Sequence, residues 1–98
     1  MSTTKQEYQE KLEAQLHELE TKIEDWQAKW NDVEADAKVE YKQQLDNLKQ
    51  KRDEVRTKLD ELSNSGEDAW NDVKAGLESA WDDFKNAVND AASRFRQN

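Results

Sequence analysis

Residues 69–79 read AWNDVKAGLES, and residues 80–90 read AWDDFKNAVND. A partial third copy, AASRFR, follows over 91–96. Eleven residues make three helical turns at ~3.67 residues per turn, so each copy presents the same face and the helix stays nearly straight. The apolar stripe is Trp70, Val73, Leu77, Trp81, Phe84, Val88 and Phe95, with Ala91 or Ala92 between the last two. A helix with such a stripe is built to lie along another surface. The repeat therefore fixes an all-helical chain, and the remaining question is what the stripe covers.

Working outward, the nearest break is Ser63-Asn64-Ser65-Gly66. Asn64 or Gly66 suits a left-handed helix end. Ser65 and Asp68 suit the start of the next helix, and Glu67 and Asp68 suit its positive N-terminus. Upstream, Thr4 with Glu7 fits a capping box. No proline or glycine lies between these signals. The spacing thus predicts one helix over 4–62, a turn at 63–66 and a helix over 67–96, forming a single domain over 1–98. A short loop between two amphipathic helices predicts an antiparallel coiled-coil hairpin.

The long segment carries its own seam: Leu12, Leu16, Leu19, Ile23, Trp26, Trp30, Val33, Ala37, Tyr41, Leu45, Leu48, Arg52, Val55, Leu59 and Leu62. Steps of three and four alternate from Leu16 to Ala37 and from Leu45 to Leu62, as in a heptad repeat. From Val33 to Leu45 the steps are all four, and the supercoil relaxes there. A bend near 34–40 is the alternative to a continuous helix, and it would make a three-helix bundle.

Folding about residue 64 or 65 sets Trp70 near Leu59, Val73 near Val55, Leu77 near Arg52 and Trp81 near Leu48. It also sets Phe84 near Leu45, Val88 near Tyr41 and Phe95 near Val33. Gly76 and Ala80 would let the two backbones approach closely. The second helix is half the length of the first, so residues 5–32 are left without an intrachain partner. Their seam (Leu12, Leu16, Leu19, Ile23, Trp26, Trp30) would be a large exposed patch, which marks an interface. Self-association through these six residues is expected, or docking on another helical protein.

Composition narrows the function classes. The 98 residues are 39% charged and 34% hydrophobic, with no proline or cysteine. Such usage is that of coiled coils and long helices. Residues 1–62 hold 16 acids and 11 bases, and residues 63–98 hold 7 and 4, so the net charges are −5 and −3. Both halves being acidic, nucleic-acid binding by phosphate neutralisation is not expected. The start of the chain has no apolar run resembling a signal peptide, and no stretch approaches ~18 apolar residues. A cytoplasmic protein is the expectation.

Candidate chemistry is sparse. His17 is the one histidine, and Glu13 precedes it by four residues where a di-iron bundle uses three; a surface histidine is expected. The pairs Glu24-Asp25, Asp53-Glu54 and Asp82-Asp83 would need a shaped, partly dry pocket for acid–base work, and a thin hairpin offers a solvated face instead. Ion pairs at i,i+4 such as Glu18–Lys22 and Glu54–Lys58 fit that reading. Arg52 in the seam reads as a side chain whose stem packs while its head reaches water, or as a register-setting element. No enzyme activity, catalytic residue, cofactor or metal is expected.

The pattern A-W-x-x-V-K-x-G-L-E-x-A-W-x-x-F-K-x-A over 69–87 resembles the C-terminal repeat of a family of short bacterial coiled-coil stress-response proteins from cyanobacteria and proteobacteria. Residues 35–41 (ADAKVEY) and 45–54, from Leu45 to Glu54, resemble that family's long helix. The likeness covers most of residues 5–96; Trp26 and Trp30 lie outside the quoted pattern. It implies a link to stress physiology and no reaction, cofactor or site residue. The alternative is an amphipathic membrane-surface or protectant protein, since 11-residue amphipathic repeats also suit lipid surfaces. Circular dichroism separates the two. Strong, cooperatively melting helicity in plain buffer is expected, and helicity that arises only with anionic vesicles would favour the surface binder.

Overall fold

Thr4 opens the first helix, its Oγ1 accepting the Glu7 backbone N–H at 3.1 Å. A computed structural model of the chain describes residues 4–96; the remaining ends of the 1–98 domain, residues 1–3 and 97–98, lie outside it. Helix α1 spans Lys5–Ala28, α2 spans Lys38–Asn64 and α3 spans Trp70–Arg96. Two short 3-10 turns, Lys29–Asp32 and Ala35–Ala37, join α1 to α2. The class is all-α, and α2 with α3 forms an antiparallel helical hairpin, the most extensive helix contact of the fold.

The helix expected over 4–62 is interrupted. Val33 and Glu34 take extended backbone (φ −75°, ψ 134° and φ −63°, ψ 147°), and α1 folds back along α2. The molecule is 51 Å long, whereas an unbroken helix over 4–62 would be roughly 87 Å. The physical reason is the seam. Leu12, Leu16 and Ile23 are now buried at 5%, 4% and 1% exposure, each worth about 1.5–3 kcal/mol. The break forfeits a handful of helical hydrogen bonds at roughly 1 kcal/mol each. Burial wins without any proline or glycine at the turn.

The second turn also differs from its sequence signals. Among the described residues none has a positive φ, so no left-handed residue ends α2. Ser65 is extended, and its Oγ donates back to the Leu62 carbonyl at 2.7 Å. Lys5 reaches over from α1 and donates to the Ser65 and Ser63 carbonyls at 2.8 and 3.3 Å. A cation thus caps the negative end of α2. The Gly66 carbonyl accepts from Ala69 and Trp70 and leads into α3.

Because α2 runs to Asn64 and α3 starts at Trp70, the hairpin turns about residue 67. The register moves accordingly. Tyr41 stacks on Phe95 at 4.3 Å, not on Val88, and Glu40 pairs with Arg94 at 3.0 Å. That displacement is about two helical turns from the expected pairing. Gly76 is not a point of close approach: a Cβ there would meet nothing within 4 Å.

The core is one apolar cluster running the length of the bundle. Leu48, Val55, Leu62, Leu77, Phe84 and Ala91 are fully buried, joined by Leu12, Leu16, Ile23, Tyr41, Leu45, Leu59 and Val88. Among the described residues no polar or charged side chain is buried. Phe84→Ala is expected to lower the urea unfolding free energy by about 3–5 kcal/mol. Gly76→Ala, in open space on an exposed helix face, is expected to raise it by about 0.5–1 kcal/mol.

Candidate functional site: an aromatic cleft at the hinge end

The fold-back brings the end of α1, the start of α2 and the end of α3 together. Four aromatic residues meet there because the stripes of all three helices end at this point. Tyr41 sits at the centre, 4.3 Å from Phe95 and 6.0 Å from Trp30 between ring centroids. Trp26 meets Phe95 edge-on at 5.0 Å. Such pairs add about 0.5–1.5 kcal/mol beyond their burial. The Tyr41 hydroxyl donates to the Trp26 carbonyl, tying α2 to the last turn of α1. Burial raises the Tyr41 pKa.

Beside this cluster lies an open cleft of about 810 Å³. Its apolar wall is Trp26, Val33, Ala37, Tyr41, Ala92 and Phe95, and its rim alternates Lys22 and Lys29 with Asp32 and Glu34. Lys38 lies 5.1 Å from the Trp30 ring, a cation–π distance. The cleft is suited to hold an apolar or aromatic group between charges of both signs. All four rim residues are exposed, so their carboxylates lack the desolvation that acid–base catalysis uses.

The six residues expected to form a self-association interface are placed differently. Leu12, Leu16 and Ile23 are buried within the chain, and Leu19, Trp26 and Trp30 are half-buried against the same core. The seam over 5–32 therefore has an intrachain partner, as the alternative of a bend near 34–40 would give it and the continuous helix would not. Of the six, Trp26 lines the open cleft. Of the hairpin residues, Leu45, Leu48, Val55, Leu59, Leu77, Phe84 and Val88 are buried, while Trp70, Val73, Trp81 and Phe95 are half-buried on the rim of the core.

Arg52 is half-buried with its guanidinium 3.1 Å from Asp53, so its stem packs and its head reaches the surface. His17 is exposed, as are Glu24, Asp25, Asp53, Glu54, Asp82 and Asp83. Lys58 pairs with Glu61, three residues on, rather than with Glu54. Among the described residues no group of three metal-ligating side chains converges.

Two contacts escaped the sequence reading. Tyr8 stacks on Trp70 at 6.2 Å, and Lys74 lies 5.0 Å from the Tyr8 ring and 5.6 Å from the Trp70 ring. Glu20 on α1 pairs with Arg56 on α2. Tyr8 was findable, since it stands one turn before Leu12 on the seam. The Glu20–Arg56 pair needed the fold-back to be known.

No family model, curated protein or solved structure matches this chain.

Tyr8 supplies a chemical reporter of the α1–α3 contact. Burial, then the carboxylates of Glu78 and Asp82, push its pKa up to about 12 from 10.0. The neutral phenol is thus favoured by the fold. Its contribution to stability is complete below pH 10 and is lost as pH rises from 10 toward 12. Ultraviolet titration is expected to show tyrosine ionisation delayed relative to the urea-unfolded chain. Tyr8→Phe should remove the later-titrating component and soften alkaline unfolding.

Proposed function

We propose that the chain is a non-enzymatic helical protein that acts by assembling with a second copy of itself through the hinge end. The observation that carries this reading is the location of the apolar surface left in water. At the hinge end Trp26, Val33, Ala37 and Phe95 stay half-buried on the wall of one open cleft. Clustered apolar exposure rimmed by charge marks an interaction surface.

The resemblance to short bacterial coiled-coil stress-response proteins supplies the setting of this proposal, a structural component of the bacterial cytoplasm under stress. Among the described residues no helix is long and apolar enough to cross a membrane. The lipid-surface reading of α3 has weaker support. Its stripe is already spent on the core, with Leu77, Phe84, Val88 and Ala91 at 0–1% exposure. Its outer face carries Asp72, Asp82, Asp83 and Asp90, where lipid-surface helices favour Lys and Arg.

Sedimentation equilibrium over a wide concentration range, on samples warmed and recooled at high concentration, tests the proposal. A monomer–dimer equilibrium is expected. Val33→Glu, on the half-exposed cleft wall, should weaken it by at least roughly tenfold without changing helicity. A chain that stays monomeric throughout would remove the reading.

A further inference from the structure

Only two residues of the hinge, Val33 and Glu34, leave the helical side of backbone space. Across 29–37 the backbone runs in 3-10 turns except at Val33 and Glu34, which are extended. Glycine and proline are absent from this stretch, and alanine stands at 28, 35 and 37. Turning the ψ angles of Val33 and Glu34 into the helical range, and relaxing the flanking 3-10 turns to α-helix, would join α1 and α2 into one rod of about 60 residues, ~90 Å long.

The apolar seam is already in phase for that rod. Trp26, Trp30, Val33, Ala37 and Tyr41 follow one another at helical spacing straight through the hinge. A segment that served only to reverse the chain would need no such continuity. In the folded-back form Val33 and Ala37 are left half-buried on the cleft wall.

We propose that residues 29–37 are an opening hinge and that two copies dimerise by exchanging α1. This inference rests on the assembly reading above and specifies its form. The occupant of the vacated groove is the α1 of a second copy, because every contact it needs already exists in the chain. Leu16 and Ile23 enter the same core, and Glu20 meets Arg56 with matching charge. Lys5 caps the Ser65 carbonyl. The antiparallel pairings of Lys5 with Ser65 and Trp26 with Tyr41 place the two-fold axis near residues 33–35. The two hinges then cross each other, Val33 against Val33, and the half-exposed aromatic surface is covered. The interface is isologous and closes at two copies.

Exchange regains every intrachain contact of α1, adds hinge helix and hinge burial, and costs association entropy. The balance therefore depends on concentration.

Two variants test the proposal. Glu34 has φ −63°, proline's own value, and follows an extended residue as proline prefers. Glu34→Pro suits the folded-back hinge and breaks the rod. It should keep monomer helicity and weaken the dimer on the order of a hundredfold or more. The chain has no cysteine, so a Glu20→Cys, Arg56→Cys double variant can be joined with a short bis-maleimide in the isolated dimer. A covalent dimer on a denaturing gel supports exchange. A dimer that crosslinks only within each chain overturns exchange and leaves the assembly reading standing. A chain that is monomeric at every concentration after annealing overturns both.

Discussion

The fold depends on where α1 hides its seam. Leu12, Leu16 and Ile23 stand on a helix whose other faces are charged, and an isolated amphipathic helix in water keeps little stability from propensity alone. Covering those side chains is what makes α1 part of a folded unit. The nearest surface able to do so is the groove between α2 and α3, whose inner residues Leu48, Val55, Leu77 and Phe84 are themselves fully buried. The break at Val33 and Glu34 follows from that requirement. Around it the helix keeps as many near-helical residues as the reversal allows.

This order of causes explains what could be read from the residues and what could not. The hendecads of α3, the turn after Asn64 and the apolar set of α2 are local patterns, and each was legible. The reversal at 29–37 was legible only as the alternative of a bend near 34–40, because it uses no local breaker. A stripe that runs in phase reads the same whether the helix continues or folds back on itself. The one trace was the run of four-residue steps from Val33 to Leu45, which marks relaxed supercoiling and gives no direction of bend. The hairpin register failed for a related reason. Sequence placed the turn at its glycine-containing stretch, but the Ser65 hydroxyl and the Lys5 ammonium cap α2 without a left-handed residue. The midpoint consequently fell about two to three residues later, and every facing pair moved with it.

The aromatic cleft was partly visible in the same way. Trp26 and Trp30 were legible as members of the apolar seam, although the expected partner was a second chain and the structure packs both against the chain's own core. That Tyr41 and Phe95 join them depends on the fold-back and on the corrected register, both tertiary events. The Tyr41 hydroxyl bond to the Trp26 carbonyl follows from the same closure. It satisfies a phenol that would otherwise be buried at a cost of several kcal/mol.

A bundle that covers its seam in the monomer has less need of a partner than a bare helix would. What argues for one is the mismatch between seam and hinge. The stripe continues at full strength through the residues that make the reversal, and there the monomer leaves it half in water. In a reversal of fixed form, those positions would gain from turn-forming polar residues or glycine. Ala35 and Ala37 instead favour the helical alternative. The folded-back and extended forms share one set of α1 contacts, made within a chain or between chains. Their difference is confined to nine hinge residues and the aromatic patch beside them. The proposed equilibrium, being so local, would be tipped by concentration or by a few backbone angles, and that property ties the half-buried tryptophans to the absence of a helix breaker.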